Sequence, residues 1–540
     1  VIATLAGTAR ADDTKLLTTL DGTTTLGGSL GGMSRDGRFF VFNSDSGAFV
    51  AGDDNGVTDV FLEDRQLGTF ERVNIASDGT QDDSGTSAAY GGSISDDGRF
   101  VLFFSRAKLD SADISTAQDL YVRDRASGTT TLVSKRNGGG LPLDVYEGVI
   151  SSDGTHVFFG SSAGNLVGGD WDQFGDVFEW DAATDSITMV STYSDGKSIN
   201  YPCSGAVPSA DAQEFAFTLR FGGGDVSHGQ GTYVKNVATG LLERVDLDST
   251  GTGYAQYSYL TGMSPDGRFV LFNTGDALVP DDTNHVTDGY VRDRQLGTTE
   301  RVTFGAGYAE LPTYSTAIGM SDDARRILVH SSFDLTSDDH NFKPDDYVFD
   351  RDTGALLLVT LGPDGGQQDV YDDFFWGFLS PDGHRYVFRT ISDSVWPGDS
   401  NGTSDVFERD LSDIDAAWTN YGDGFSGRFG EPSIALSALP RRSLDVSLTI
   451  GNSSGLYSVV ALLIGVASQS LPTNLGGTLL VQPLEVMVLP ITPFGSDYPF
   501  TVPPDGDLPG VHVYLQALEL DPWAAKGVSF TPGLDATIGD

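Results

Sequence analysis

The apolar positions of this chain come in short runs and never in long helical stripes. From Arg268 to Asn273 (RFVLFN) nearly every residue is apolar, and the run is bounded by Ser264-Pro265-Asp266-Gly267 before it and a polar loop after it. Proline with a following Asp-Gly fits a β-turn, and so short an apolar run is no helix; it predicts a strand covered on both faces. After the loop (Asp281 to Thr287) come the alternating Asp288-Gly-Tyr-Val-Arg-Asp-Arg, a turn at Gly297 and Thr299-Glu-Arg-Val. These predict the third and fourth strands of one antiparallel unit.

The chain writes that unit seven times, its turn serine recurring as Ser34, Ser95, Ser151, Ser209, Ser264, Ser321 and Ser380 at intervals of 55 to 61 residues. Seven four-stranded units predict an all-β chain built on a seven-bladed β-propeller. The seventh copy, Leu379 to Leu411, stops after its third strand. Near the N-terminus, Thr14-Lys-Leu-Leu-Thr-Thr-Leu-Asp-Gly has the form of the missing fourth, so an N-terminal strand is expected to latch the last blade. The S-x-D-G-R-φ-φ-φ-F pattern followed by D-φ-Y/F-φ-x-D-R resembles the WD40-like (PD40) repeats of TolB-type propellers, over residues 14 to 411. That resemblance implies the fold. Functions in the family range from periplasmic scaffolds to domains accompanying peptidases, so it implies no activity. The fourth copy departs furthest, with Ala212 for glycine and Gly231 for the loop aspartate.

Beyond Leu411 the repeat ends. Residues 412–426 read as a linker, and residues 427–540 alternate strand-like runs with Gly/Pro turns, which predicts a β-sandwich. The ending Ser529-Phe-Thr-Pro-Gly-Leu-Asp-Ala-Thr-Ile-Gly resembles modules that close large secreted bacterial proteins. Residues 1–13 read in two ways: an apolar arm that needs a sheet to join, or the small-residue end of a secretory signal.

Composition narrows the partners. With 76 acidic and 32 basic residues the net charge is −44 and the pI about 4.1, which disfavours nucleic acid and anionic membranes. No apolar stretch approaches the ~20 residues of a spanning helix. The single Cys203 excludes an internal disulfide and a cysteine metal site. The acidity and the Gly/Thr/Asn-rich loops favour an extracellular or cell-surface location.

The loops after each second strand carry the candidate chemistry. Asp stands first in all seven, Asn, Ser or Asp third, and Asp seventh in six, giving Asp53/Asn55/Asp59, Asp170/Asp172/Asp176, Asp282/Asn284/Asp288 and Asp399/Asn401/Asp405 as candidate Ca²⁺ ligands. Hard oxygens at that spacing can converge on one ion, but they can equally form Asx-turns that hold the loop. Blade-to-blade connections end in aromatics, Tyr90, Tyr146, Tyr201, Tyr259, Tyr314 and Trp376, which either gather at the channel mouth as a sugar or cation platform or fill blade junctions. Catalytic motifs are nearly absent: Gly451-Asn-Ser-Ser-Gly455 matches G-x-S-x-G but lacks a strand-to-helix context, and the histidines show no metalloprotease spacing. The expectation is a non-enzymatic binding or assembly module with a protein partner or a second copy of itself. The alternative is an extracellular enzyme or lectin-like module on polysaccharide, and a third reading is calcium-dependent adhesion.

Overall fold

The computed structural model describes residues 14–84, 93–113, 117–135, 145–164, 166–168, 174–199, 201–220, 229–304, 311, 314–336, 339, 343–352, 354–360, 377–392, 395–396, 399, 401–411, 417–438, 440, 445–502 and 512–538. Residues 1–13, with the expected arm, and Tyr90, Asp170, Asp172 and Trp376 lie outside them. Among the described residues every regular element is a β-strand. The chain divides into two compact units, Val1–Asp410 and Leu411–Asp540.

The first unit is a seven-bladed propeller. Six blades are four-stranded antiparallel sheets; in blade 2 three strands are joined by an Ile94–Val101 bridge where the innermost strand belongs. Blade 1 shows the order: A, Ser29–Met33; B, Phe39–Ser44; C, Asp59–Asp64; D, Thr69–Arg72. In blade 7, strands Gly377–Leu379, Arg385–Thr390 and Asp405–Asp410 are completed by Thr14–Leu16, with Thr14 opposite Arg409 and Leu16 opposite Phe407. The ring is latched by its N-terminal strand.

Period-two alternation explains why strands B are apolar throughout. Phe40 and Phe42 pack toward blade 7 with Val387 and Val406, whereas Phe39 and Val41 pack toward blade 2 with Val101 and Phe103. Each such side chain contributes roughly 1.5–3 kcal/mol on burial. The S-x-D-G turns are tied the same way in every blade. In blade 1 the Ser34 hydroxyl donates to Asp36 (2.7 Å) and accepts the Phe39 amide (2.9 Å). The turn glycine has two reasons to be glycine: Gly98 has φ +71°, and a Cβ there would fall 2.0 Å from the Phe39 ring of the preceding blade.

The second unit is a β-sandwich. One sheet runs Ala417–Tyr421, Gly533–Thr537, His512–Leu520, Ser458–Gly465, Glu485–Ile491, with Val528–Phe530 also on His512–Leu520; the other is Ile434–Leu436, Asp445–Ile450, Ser496–Thr501. Ile450, Val460, Ile491 and Leu534 meet in its core. The stretch expected as a linker, 412–426, is corrected by this pairing: Ala417–Tyr421 is an edge strand of the sandwich, hydrogen-bonded to the C-terminal strand with Ala417 opposite Thr537.

Candidate functional site

Strand order puts the Asp loops between strands B and C on one face of the ring, and the S-x-D-G and C-to-D turns on the other. The turn face is arginine-rich, and its arginines are engaged. Arg65, Arg125, Arg294 and Arg351 each reach a glutamate of the preceding blade: Glu408 (2.6 Å), Glu71 (2.9 Å), Glu214 and Glu243 (2.6 and 2.7 Å), and Glu300 (2.7 Å). They are clamps between blades. At the axis, Arg35 of blade 1 pairs with Asp96 of blade 2 (3.1 Å) and reaches past blade 7 to Asp322 of blade 6 (2.8 Å). This bridge links blades 1, 2 and 6. Burial pushes the Asp322 carboxyl up to about 6, against the pull of Arg35.

On the opposite face, the Asp loops share one hydrogen-bond plan. A side chain just after strand D donates to the seventh-position aspartate: Asn74 to Asp59 (2.5 Å), Ser134 to Asp119 (2.8 Å), Ser191 to Asp176 (2.6 Å), Thr303 to Asp288 (2.5 Å), Thr360 to Asp345, and Thr18 of the latch to Asp405 (2.9 Å). Blade 4 inverts the pair. Gly231 removes the loop carboxylate and Asp246 supplies one from the D side, placed so that a Cβ on Gly231 would lie 2.5 Å from its Oδ2.

The first-position aspartates are satisfied in two ways. In blades 2, 5 and 6 a strand C tyrosine hydroxyl donates to it: Tyr121 to Asp113 (2.6 Å), Tyr290 to Asp282, Tyr347 to Asp339. Burial, then the neighbouring carboxylate, raises these phenols well above their ordinary range, so they stay protonated donors. In blade 1 strand C carries Phe61 instead, and Arg72 of strand D enters, 3.0 Å from Asp53 and 3.6 Å from Asp59. Blade 5 has an arginine as well, Arg301, 3.9 and 3.8 Å from Asp282 and Asp288. In the loops Asp53/Asn55/Asp59 and Asp282/Asn284/Asp288, named from their spacing as candidate Ca²⁺ ligands, a guanidinium lies beside the carboxylates. Asn55 and Asn284 turn their amides onto Asp59 (2.9 Å) and Asp288 (3.4 Å), as loop-holding residues do. Burial lifts Asp288 to about 6 and raises Asp59 and Asp405. Among the described residues no three His, Cys, Asp or Glu side chains form a metal-binding group.

The mouth aromatics are placed singly. Tyr146 is half-exposed and its hydroxyl donates to the Cys203 carbonyl of blade 4 (3.4 Å); Tyr201 stacks on Phe174 with centroids 6.4 Å apart; Tyr259 is partly buried; Tyr314 is exposed. Beside Tyr146, Glu147 accepts the Gly205 amide (2.9 Å), and burial raises its pKa. In the sandwich, the G-x-S-x-G serine, Ser453, is buried and bonded to Glu519 (2.8 Å), Ser529 (2.7 Å) and Asp521 (3.2 Å), in a turn between strands.

The sequence reading missed one surface. Among the described residues the edge strand Glu485–Ile491 pairs on one side only, and Val486, Met487 and Val488 are 54%, 41% and 71% exposed. Leu484, Val459 and Phe500 are exposed as well. Its uninterrupted apolar pattern was the available signal, since such a strand is normally covered on both faces.

No family model matches the chain, and no curated protein matches it. Among solved structures it is similar to an oligogalacturonate lyase from Vibrio parahaemolyticus (12% identity, TM-score 0.46, covering 74% of this chain and 93% of that one). It is also similar to the β-propeller domain of the Trilobed protease from Pyrococcus furiosus (9%, 0.36, 65% and 88%) and to a puromycin-hydrolyzing peptidase of Mycobacterium tuberculosis (11%, 0.40, 78% and 57%). The fold rests on the chain's own sheet pairing.

Proposed function

We propose that this protein is a secreted or cell-surface binding and assembly module of the TolB-type propeller kind, joined to further copies by strand addition. The observation that carries the reading is the unpaired apolar edge Glu485–Ile491. An apolar edge strand without a lysine is a template for another strand through the outward N–H and C=O groups ahead of Pro490, whose carbonyl accepts the Tyr498 hydroxyl. The occupant we assign is the segment preceding the latch in a second copy, Val1-Ile-Ala-Thr-Leu-Ala-Gly-Thr-Ala-Arg-Ala, which is apolar, strand-capable and outside the blade count. Such a contact is head-to-tail and extends without closing. The engaged state of the ring arginines supports a rigid scaffold.

Sedimentation and electron microscopy test it on the full chain, on a variant lacking residues 1–11, and on Val488→Lys. Assemblies in the full chain that are lost in both variants are expected. Monomers throughout would overturn assembly, assemblies surviving Val488→Lys would overturn the edge, and assemblies surviving truncation would overturn the donor.

A further inference from the structure

The geometry points to one divalent-cation site, of Ca²⁺ type, in the Asp loop of blade 7, where the N-terminal latch meets Asp399 and Asp405. Each described first-position aspartate elsewhere has a donor from its own blade, either the strand C tyrosine or the strand D arginine. Blade 7 has neither. Its strand C residue is Phe407, and the latch register puts Leu16 opposite Phe407, as Arg72 stands opposite Phe61 in blade 1.

The consequence is visible in the carboxylate itself. Asp399 is 7% exposed, and its Oδ2 is buried with no hydrogen-bond partner; Asp282 Oδ1 of blade 5 has no hydrogen-bond partner either, but there a guanidinium nitrogen of Arg301 stands 3.9 Å away. Asp399 Oδ1 accepts the Thr25 hydroxyl (3.1 Å) and the Asn401 amide (3.3 Å). Both of these donors go to the one oxygen, so Oδ2 is left without one, and burying an unpaired carboxylate oxygen is costly.

Blade 1 shows what the site takes. There one guanidinium nitrogen lies between the two aspartates, 3.0 and 3.6 Å away, and Asn55 donates to Asp59 at 2.9 Å. Blade 7 keeps the same scaffold, with Asn401 donating to Asp405 Oδ2 at 2.9 Å and the loop closed on Asn401 by the Thr403 amide (2.8 Å). Among the described residues no side chain supplies the positive group that Arg72 supplies in blade 1. Two carboxylates with carbonyl and water oxygens are hard ligands, which select Ca²⁺ over softer metals, at affinities near those of extracellular modules, on the order of 0.1–1 mM. Thr18, Thr25 and Gly27 of the N-terminal segment already bond these aspartates, so the cation ties the latch to the last blade.

Blade 3 shows the same two departures in sequence, Phe178 and Met189, but Asp170 and Asp172 lie outside the described residues and the inference does not extend to them.

The test uses the full chain stripped with EDTA and titrated with CaCl₂ by calorimetry, with melting followed in parallel. Two variants separate the site from general charge effects. Asp399→Asn is expected to lower calcium stoichiometry by one site. Leu16→Arg, which puts the arginine of blade 1 into the latch, is expected to lose the same site, so that its Tm no longer differs between CaCl₂ and EDTA. In wild type, saturating CaCl₂ is expected to raise Tm by about 2–5 °C and to slow hydrogen exchange at Thr14–Thr18 more than in other D strands. No calcium binding by wild type, or the same stoichiometry in wild type and both variants, would overturn the site. An exchange change spread evenly over all blades would overturn its coupling to the latch.

Discussion

At the scale of single residues, the propeller is governed by how each buried carboxylate is answered. Most are met by a hydroxyl, an amide or an arginine, and Glu63 is, like Asp399, an exception. Its Oε2 is buried without a partner, and burial pushes its carboxyl up to about 7, with Arg65 opposing and Glu408 and Asp64 adding to the rise. Because the folded value lies above the unfolded one, near 4.5, the native state holds this proton more tightly. Its contribution is complete below about pH 4.5 and is lost as pH rises through about 7. Urea denaturation between pH 4.5 and 7.5 is expected to show stability falling with pH, and Glu63→Gln to flatten that fall by on the order of 2 kcal/mol. The pairing of Asp loops with tyrosines eight residues on, or with arginines on the next strand, was hard to read in advance. Sequence spacing shows the loop, but the group that answers it comes from a neighbouring strand, as Arg72 does for Asp53.

At the scale of elements, the strands and turns were legible because each blade repeats its own local chemistry: a Ser-Asp turn, an apolar strand B, an alternating strand C. The latch was legible from the incomplete seventh copy. What was not legible depends on long-range pairing. Ala417–Tyr421 looks like a linker because nothing near it marks a partner, and its partner is the last strand of the chain. The edge Glu485–Ile491 reads as a core strand because its pattern says covered, while the covering strand is absent from its own sheet. Blade contacts yield a direct prediction. Gly98→Ala puts a methyl into the Phe39 ring at a φ of +71°, so denaturation should report a loss of about 2–4 kcal/mol, from overpacking and left-handed strain together.

At the scale of the whole molecule, the ring is held by contacts between neighbours and by a single closure. Arginine clamps repeat from blade to blade, whereas the closure rests on Thr14–Leu16, the buried Leu16 and Leu17 and the Thr18 bond to Asp405. A variant lacking residues 1–18 is expected to lose roughly 3–6 kcal/mol in urea denaturation, the worth of two buried leucines and one charge-assisted hydrogen bond. A loss no greater than that of removing residues 1–11 alone would show that closure does not depend on the latch.

The latch also sets a timetable for biosynthesis. Thr14 leaves the ribosome nearly four hundred residues ahead of its partner Arg409. At translation speeds of roughly 5–20 residues per second, the strand waits about 20–80 s with its backbone groups unmet. Six blades can form meanwhile from contacts close in sequence, but the seventh cannot. The nascent ring is therefore open at one known seam, with Val387 and Val406 uncovered, and that seam is where a chaperone, or a neighbouring nascent chain, would engage it first.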